Sequence, residues 1–219
     1  MIRALVYKEF RETVGIAALG LAALMIVVVA AAGFSPLPTG LFGYVRQGAI
    51  PFVSDEFVSR FTFVAATLAI ALGLRQSIGD FLGDAQLFLL HRPLDRTKIY
   101  STKLLVGLVS YLVCGLIAIA AFSGWASLPG THASPFEWSM TAGAWTVWLV
   151  LTTVYLGALL TGLRPAAWFG TRLAPLVAAV AIAALISLCW LPVVALLVVV
   201  VDLLLVAMIL SIARARDFA

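Results

Sequence analysis

Six apolar runs, each about as long as a bilayer core is thick, take up most of this chain. They cover residues 14–33, 61–77, 104–125, 140–163, 173–189 and 193–213. A hydrocarbon core of roughly 30 Å needs about 20 such residues in a helix. The last two runs are separated only by Trp190-Leu191-Pro192. One helix through both would be about 60 Å long, far more than a single crossing needs, so a tight hairpin at Pro192 is expected. Little is left for a soluble domain, and 1–219 reads as a single transmembrane domain of the all-α class. Composition agrees. The chain is 63% hydrophobic and 11% charged, with a mean hydropathy of +1.13, whereas soluble domains are about 45–50% apolar and about a quarter charged.

The placement of the charges sets an expected orientation. With the N-terminus inside, the inner segments hold Arg3, Lys8, Arg11, Arg75, Arg92, Arg96, Lys98, Lys103, Arg164, Arg172, Arg214 and Arg216, leaving Arg46 and Arg60 outside. Inner loops carry such an excess of Lys and Arg in multi-pass proteins. Five spans would carry Arg214 and Arg216 to the outer side, so six spans with both termini cytoplasmic fit better. The expected location is the inner (cytoplasmic) membrane of the cell. These basic residues therefore signal topology and not nucleic-acid binding.

Residues 1–12 precede the first run. Ile2, Leu5, Val6 and Phe10 share one helical face, with Arg3, Lys8, Arg11 and Glu12 opposite or at its edges. That pattern predicts an amphipathic helix lying at the membrane interface. The apolar run behind it exceeds the about 7–15 residues of a signal-peptide core. Glu9 falls in the middle of the apolar face, so it either snorkels outward or pairs with a cation on another element. In the long outer connection, Phe42, Tyr44, Phe52 and Phe57 are interleaved with Pro and Gly, as aromatics at a membrane–water interface are. Cys114 and Cys189 lack metal-ligand or redox spacing and read as small packing residues.

Between the second and third runs lies a compact charged segment, 79–103. Arg92, Arg96, Lys98 and Lys103 fall within it, and Arg75 lies just before it. Phe81, Ala85 and Phe88 recur at i, i+4 and i+7, the spacing of a short amphipathic helix. Pro93 ends that helix, and Asp95 is placed to cap the next one. The outcome is a helix–turn–helix elbow. Arg96 would then sit in a first turn, where the helix dipole disfavours a cation. A compensating carboxylate is expected, from Glu9 or from a partner protein.

The run Leu89-Leu90-His91-Arg92-Pro93-Leu94-Asp95-Arg96-Thr97-Lys98-Ile99, closed by Lys103, resembles the cytoplasmic elbow of type-2 (exporter-like) ABC transporter permeases. The matching positions are Leu89, Leu90, Pro93, Asp95, Arg96, Ile99 and Lys103. Upstream, where the family tends to carry an acidic residue and a Gly-Thr pair, this chain has Gly79-Asp80 and Gly83-Asp84. The interfacial N-terminal helix and the six-span layout are similar too. The resemblance implies a dimer of permease modules, homo- or heteromeric, each docked through its elbow onto a separate ABC ATPase. It makes Phe81, Ala85, Phe88, Leu89, Pro93 and Arg96 the coupling surface and implies no cofactor or metal.

No phosphate-binding loop and no catalytic motif occurs in the chain, so energy for uphill transport would come from another chain or an ion gradient. Asp202, near the centre of the last run, is the one ionisable group deep in a span. A carboxylate there costs about 2.5–3.5 kcal/mol on insertion scales. One reading is a protonated, structural Asp202 held by Thr152, Thr153 or Tyr155. The other is a proton or substrate site, which would make the chain a proton-coupled secondary carrier. A non-transporting membrane assembly subunit is a third class. The twelve-to-two charge asymmetry predicts that cysteines introduced near Gly48 and His132 react with an impermeant reagent from outside, and that those at Gln86 and Arg214 do not. Outside labelling at Arg214 would require an odd number of spans.

Overall fold

The computed structural model describes residues 2–34, 50–53, 56–78, 96–132, 135–164, 171–189 and 191–215. Among them the secondary structure is helical, with no strand. The helices are α1 (Ile2–Ala31), α2 (Glu56–Ile78), α3 (Arg96–Ala126), α4 (Ala142–Leu163, entered through a 3₁₀ turn at Trp138–Thr141), α5 (Ala174–Ser187) and α6 (Leu191–Ala215). Five of these, all but α5, are long and apolar enough to cross a bilayer. The protein is a multi-pass membrane protein.

The apolar run 173–189 yields a helix of only 14 residues, about 21 Å long. Pro175 stands in its first turn, where a missing N–H costs nothing. At the other end the amides of Leu188 and Cys189 turn to the carbonyls three residues back, a tightening that closes a helix. Hydropathy measured the run and not the helix.

The N-terminal segment differs from expectation as well. The interfacial helix and the first span are one unbroken helix of 30 residues, about 45 Å long. No proline interrupts α1, and Gly15 lies inside it. Its buried face near the N-terminus is Leu5, Glu9 and Thr13, at i, i+4 and i+8, while Val6 and Phe10 are exposed. The face read as apolar is thus divided between two environments.

α4 is the central helix. Every residue from Val150 to Leu163 is buried, as expected of a helix that is apolar all round. α2, α5 and α6 pack around it, and close approach is made by small residues. A Cβ at Gly73 would lie 2.7 Å from the Ala158 Cβ and 2.7 Å from the Tyr155 carbonyl. α1 packs against α3 and α2.

The end of the bundle where α2 begins and α3 ends is closed by aromatic rings. Phe122 stacks on Phe57 at 4.2 Å and on Trp125 at 5.6 Å, and Phe52 reaches Phe122 at 4.8 Å. Phe52 takes φ 62°, a left-handed conformation costly for a bulky residue. Its ring is buried in the cluster. Phe52 and Phe57 are therefore core residues and not an interfacial belt. Phe42 and Tyr44 lie outside the described residues.

Candidate functional site

Four polar side chains from four helices meet in the half of the bundle where α2 ends and α3 begins. Gln76 lies near the end of α2, Lys103 two turns into α3, Tyr155 on α4 and Glu9 on α1. Gln76, Lys103 and Glu9 are buried, at 3%, 2% and 0% exposure, and Tyr155 is fully enclosed. In a bilayer such groups persist only when they satisfy one another.

They do so reciprocally. The Gln76 Nε2 amide donates to the Lys103 carbonyl at 2.8 Å, and the Lys103 ammonium donates to the Gln76 carbonyl at 3.0 Å. That exchange leaves Gln76 Oε1 facing α4, where the Tyr155 hydroxyl donates to it at 2.6 Å. The same hydroxyl lies 3.1 Å from the Leu104 carbonyl. Lys103 Nζ also stands 3.8 Å from Glu9 Oε2, and Lys8 Nζ stands 3.7 Å from Glu9 Oε1. Gly107 makes this possible, because a Cβ there would collide with Gln76 Oε1 and the Tyr155 hydroxyl. Next to the junction, Ser77 packs against the bare backbone of Gly162 and donates to the Gly73 carbonyl at 2.8 Å.

The arrangement is structural. Gln76 lies near the end of α2 and Lys103 near the start of α3; their paired bonds hold these two helix ends together, and Tyr155 fastens the pair to the central helix. Glu9 adds α1. Glu9 pairs with a cation on another element, as expected: Lys103 of α3.

Of the residues assigned to the coupling surface, Phe81, Ala85, Phe88, Leu89 and Pro93 lie outside the described residues. Arg96 is the first described residue of α3, and the capping residue expected at Asp95 lies outside the described residues. Gln76 escaped the sequence reading, and Tyr155 was considered for Asp202 and not for this junction. The signals they left were a lone glutamine inside an apolar run and a glycine, Gly107, facing it.

Asp202 on α6 has the partners expected of a structural group. Thr152 Oγ1 lies 2.5 Å from Asp202 Oδ2, and the Thr153 hydroxyl donates to Oδ1 at 2.7 Å. Thr152 Oγ1 also lies 2.7 Å from the Leu149 carbonyl. The Thr152 hydroxyl is thus shared between Asp202 Oδ2 and its own helix's Leu149 carbonyl, a three-centre arrangement, while Thr153 donates to the other carboxyl oxygen. Tyr155, the third hydroxyl considered for Asp202, is bonded on the α2–α3 side.

The end of α4 and the start of α5 are tied to each other by Arg172 and Thr161. Arg172 donates to the carbonyls of Thr161 and Gly162 at 3.4 and 3.0 Å, where a cation favours a helix C-terminus. The Thr161 hydroxyl accepts from the Leu176 amide at 3.0 Å, serving a free N–H of the first turn of α5.

Comparison with known proteins assigns no family: no family model matches the chain, and no curated protein or solved structure matches it significantly.

Two outcomes follow from the geometry. Lys103→Met should lower stability in detergent by up to about 3–5 kcal/mol, because it removes the buried one of Glu9's two ammonium partners and leaves only the partly exposed Lys8. The Glu9→Leu/Lys103→Met double variant should recover much of that loss, and thermal unfolding of the four proteins of the cycle measures the coupling. Asp202→Asn should insert and unfold like the wild type, since the amide can donate to Thr152 and accept from Thr153. A loss of function with intact folding in Asp202→Asn would instead favour ion coupling.

Proposed function

We propose that this chain is the membrane-spanning subunit of an ATP-driven ABC-type transporter, working as an exporter powered by a separate ATPase. The observation that carries the reading is the Gln76–Lys103–Tyr155 junction. A transport subunit without its own nucleotide site must collect force at a surface outside the bilayer and deliver it to its spans. The elbow resemblance supplies the surface, and the junction supplies a stiff connection from both elbow arms to the central helix.

On this reading two such modules, identical or different, pair in the inner membrane. Each has six spans and cytoplasmic termini, with the short α5 completing the count. Phe81, Ala85, Phe88 and Leu89 present the apolar face to the ATPase, Pro93 sets the turn, and Arg96 meets an acidic group of the partner. ATP-driven closure of the ATPases moves the elbows. Because the arms are tied at their base, they move as one lever instead of splaying. Tyr155 passes the displacement to α4, and Lys103 passes it to α1 through Glu9.

The hydroxyl pair on Asp202 supports a structural role for that residue and gives a proton-coupled carrier no relay to work with among the described residues.

Phe88→Ala or Arg96→Glu should leave insertion unchanged and either release the ATPase or uncouple hydrolysis from transport. A loss of ≥ ~2 kcal/mol in ATPase affinity is expected of an interface centred on one aromatic. Co-purification of the ATPase and its stimulation by each variant are the measurements. If neither variant alters them, the elbow is a plain loop and the proposal falls.

A further inference from the structure

α1 and α3 enclose a groove of about 630 Å³ on the outside of the bundle. One wall is Val6, Phe10, Val14, Ala18 and Leu21, and the other includes Thr102, Leu105 and Val109. From Val6 to Leu21 the groove runs about 22 Å along α1 at 1.5 Å per residue. One leaflet of a bilayer, headgroups included, is about the same thickness, 20–22 Å. The groove therefore has the length of a single lipid and opens to where lipids are.

Its end near the helix N-termini is basic on both sides. Arg3 is five full helical turns before Leu21 and so stands on the line of that wall. Lys98 is one turn before Thr102 on the facing wall. Both are exposed. They also stand at matching height. The Glu9–Lys103 pair fixes the two helices against each other, and Arg3 lies six residues below Glu9 while Lys98 lies five below Lys103. That is about 9 Å and about 8 Å at the same rise, in helices that leave this end together.

We propose that this groove is a binding site for one anionic phospholipid, with its phosphate between Arg3 and Lys98 and its acyl chains along Val6–Leu21 and Leu105–Val113. Basic sites between transmembrane helices hold anionic headgroups in this manner. A second copy of the chain is a poorer occupant. Packed about a two-fold axis, each copy would set Arg3 and Lys98 against the same cations of its mate, whereas a phosphate neutralises them. The site stands on the groove and its two cations and does not depend on the transport reading.

The test is native mass spectrometry of the purified full chain in neutral detergent, titrated with phosphatidylglycerol or with phosphatidylcholine of the same acyl chains. One phosphatidylglycerol should be retained per chain, with a preference on the order of tenfold or more. Arg3→Gln/Lys98→Gln should retain the two lipids equally. Ala18→Trp, which fills the groove, should retain neither while keeping the wild-type melting temperature. Val109→Trp on the opposite wall repeats the experiment should Ala18→Trp fail to fold. Equal retention of both lipids by the wild type overturns the proposal, as does a preference that survives Arg3→Gln/Lys98→Gln. Spontaneous cross-linking of Val109→Cys between chains overturns it too, by placing a second copy in the groove.

Discussion

A buried ion pair sets the rotation of two helices here, and much of the molecule follows from it. Glu9 and Lys103 have side chains only 1% and 2% exposed and stand 3.8 Å apart. Leaving either charge without its partner in an apolar interior costs several kcal/mol, so α1 and α3 must turn these faces toward each other. Turning Glu9 inward carries Leu5 and Thr13 with it and leaves Val6, Phe10 and Val14 outside, which creates the outer groove. Turning Lys103 inward carries Gly107 toward α2 and α4, because four residues bring the chain back to the same face. The space that Gly107 leaves is the space that Gln76 and Tyr155 occupy.

Much of this was legible in the chain, though unevenly. Apolar length located the helices because a bilayer imposes that length on any crossing. Asp202 was legible down to two of its partners, since a carboxyl in an all-apolar span has few hydroxyls to choose from. Tertiary rotation was not legible. Arg96 and Lys103 are seven residues apart on nearly one face of α3, so spacing alone gives Glu9 two equivalent cations. Depth favours Lys103, and depth depends on how α1 continues into its span. The sequence reading placed a separate interfacial helix there. With α1 unbroken, Glu9 lies on the axis of the first span and reaches the deeper of the two cations.

The same limit explains the other misses. Gln76 and Tyr155 are 79 residues apart, and no local pattern relates them. The aromatic residues of the outer connection looked interfacial because composition cannot distinguish a ring at a membrane surface from a ring plugging the end of a bundle. For Phe52 the packing is strong enough to hold a backbone conformation that the residue itself disfavours.

α4 is keyed from two sides within about one turn. Thr152 and Thr153 engage Asp202 of α6, while Tyr155, two residues on, engages Gln76 and Leu104 of α2 and α3. Successive residues on a helix point about 100° apart, so such neighbours can face different partners at nearly the same depth. Apolar contacts alone would let α4 rotate or slide among similar packings, since lipid tails are as apolar as its neighbours. Hydrogen bonds on opposing sides remove that freedom, because each has a narrow range of productive geometry. α2 and α3 are thereby tied to α6 through α4 by hydrogen bonds and not by apolar contact alone. The polar residues of this bundle are few, and their placement ties α2, α3 and α6 to α4 in one arrangement.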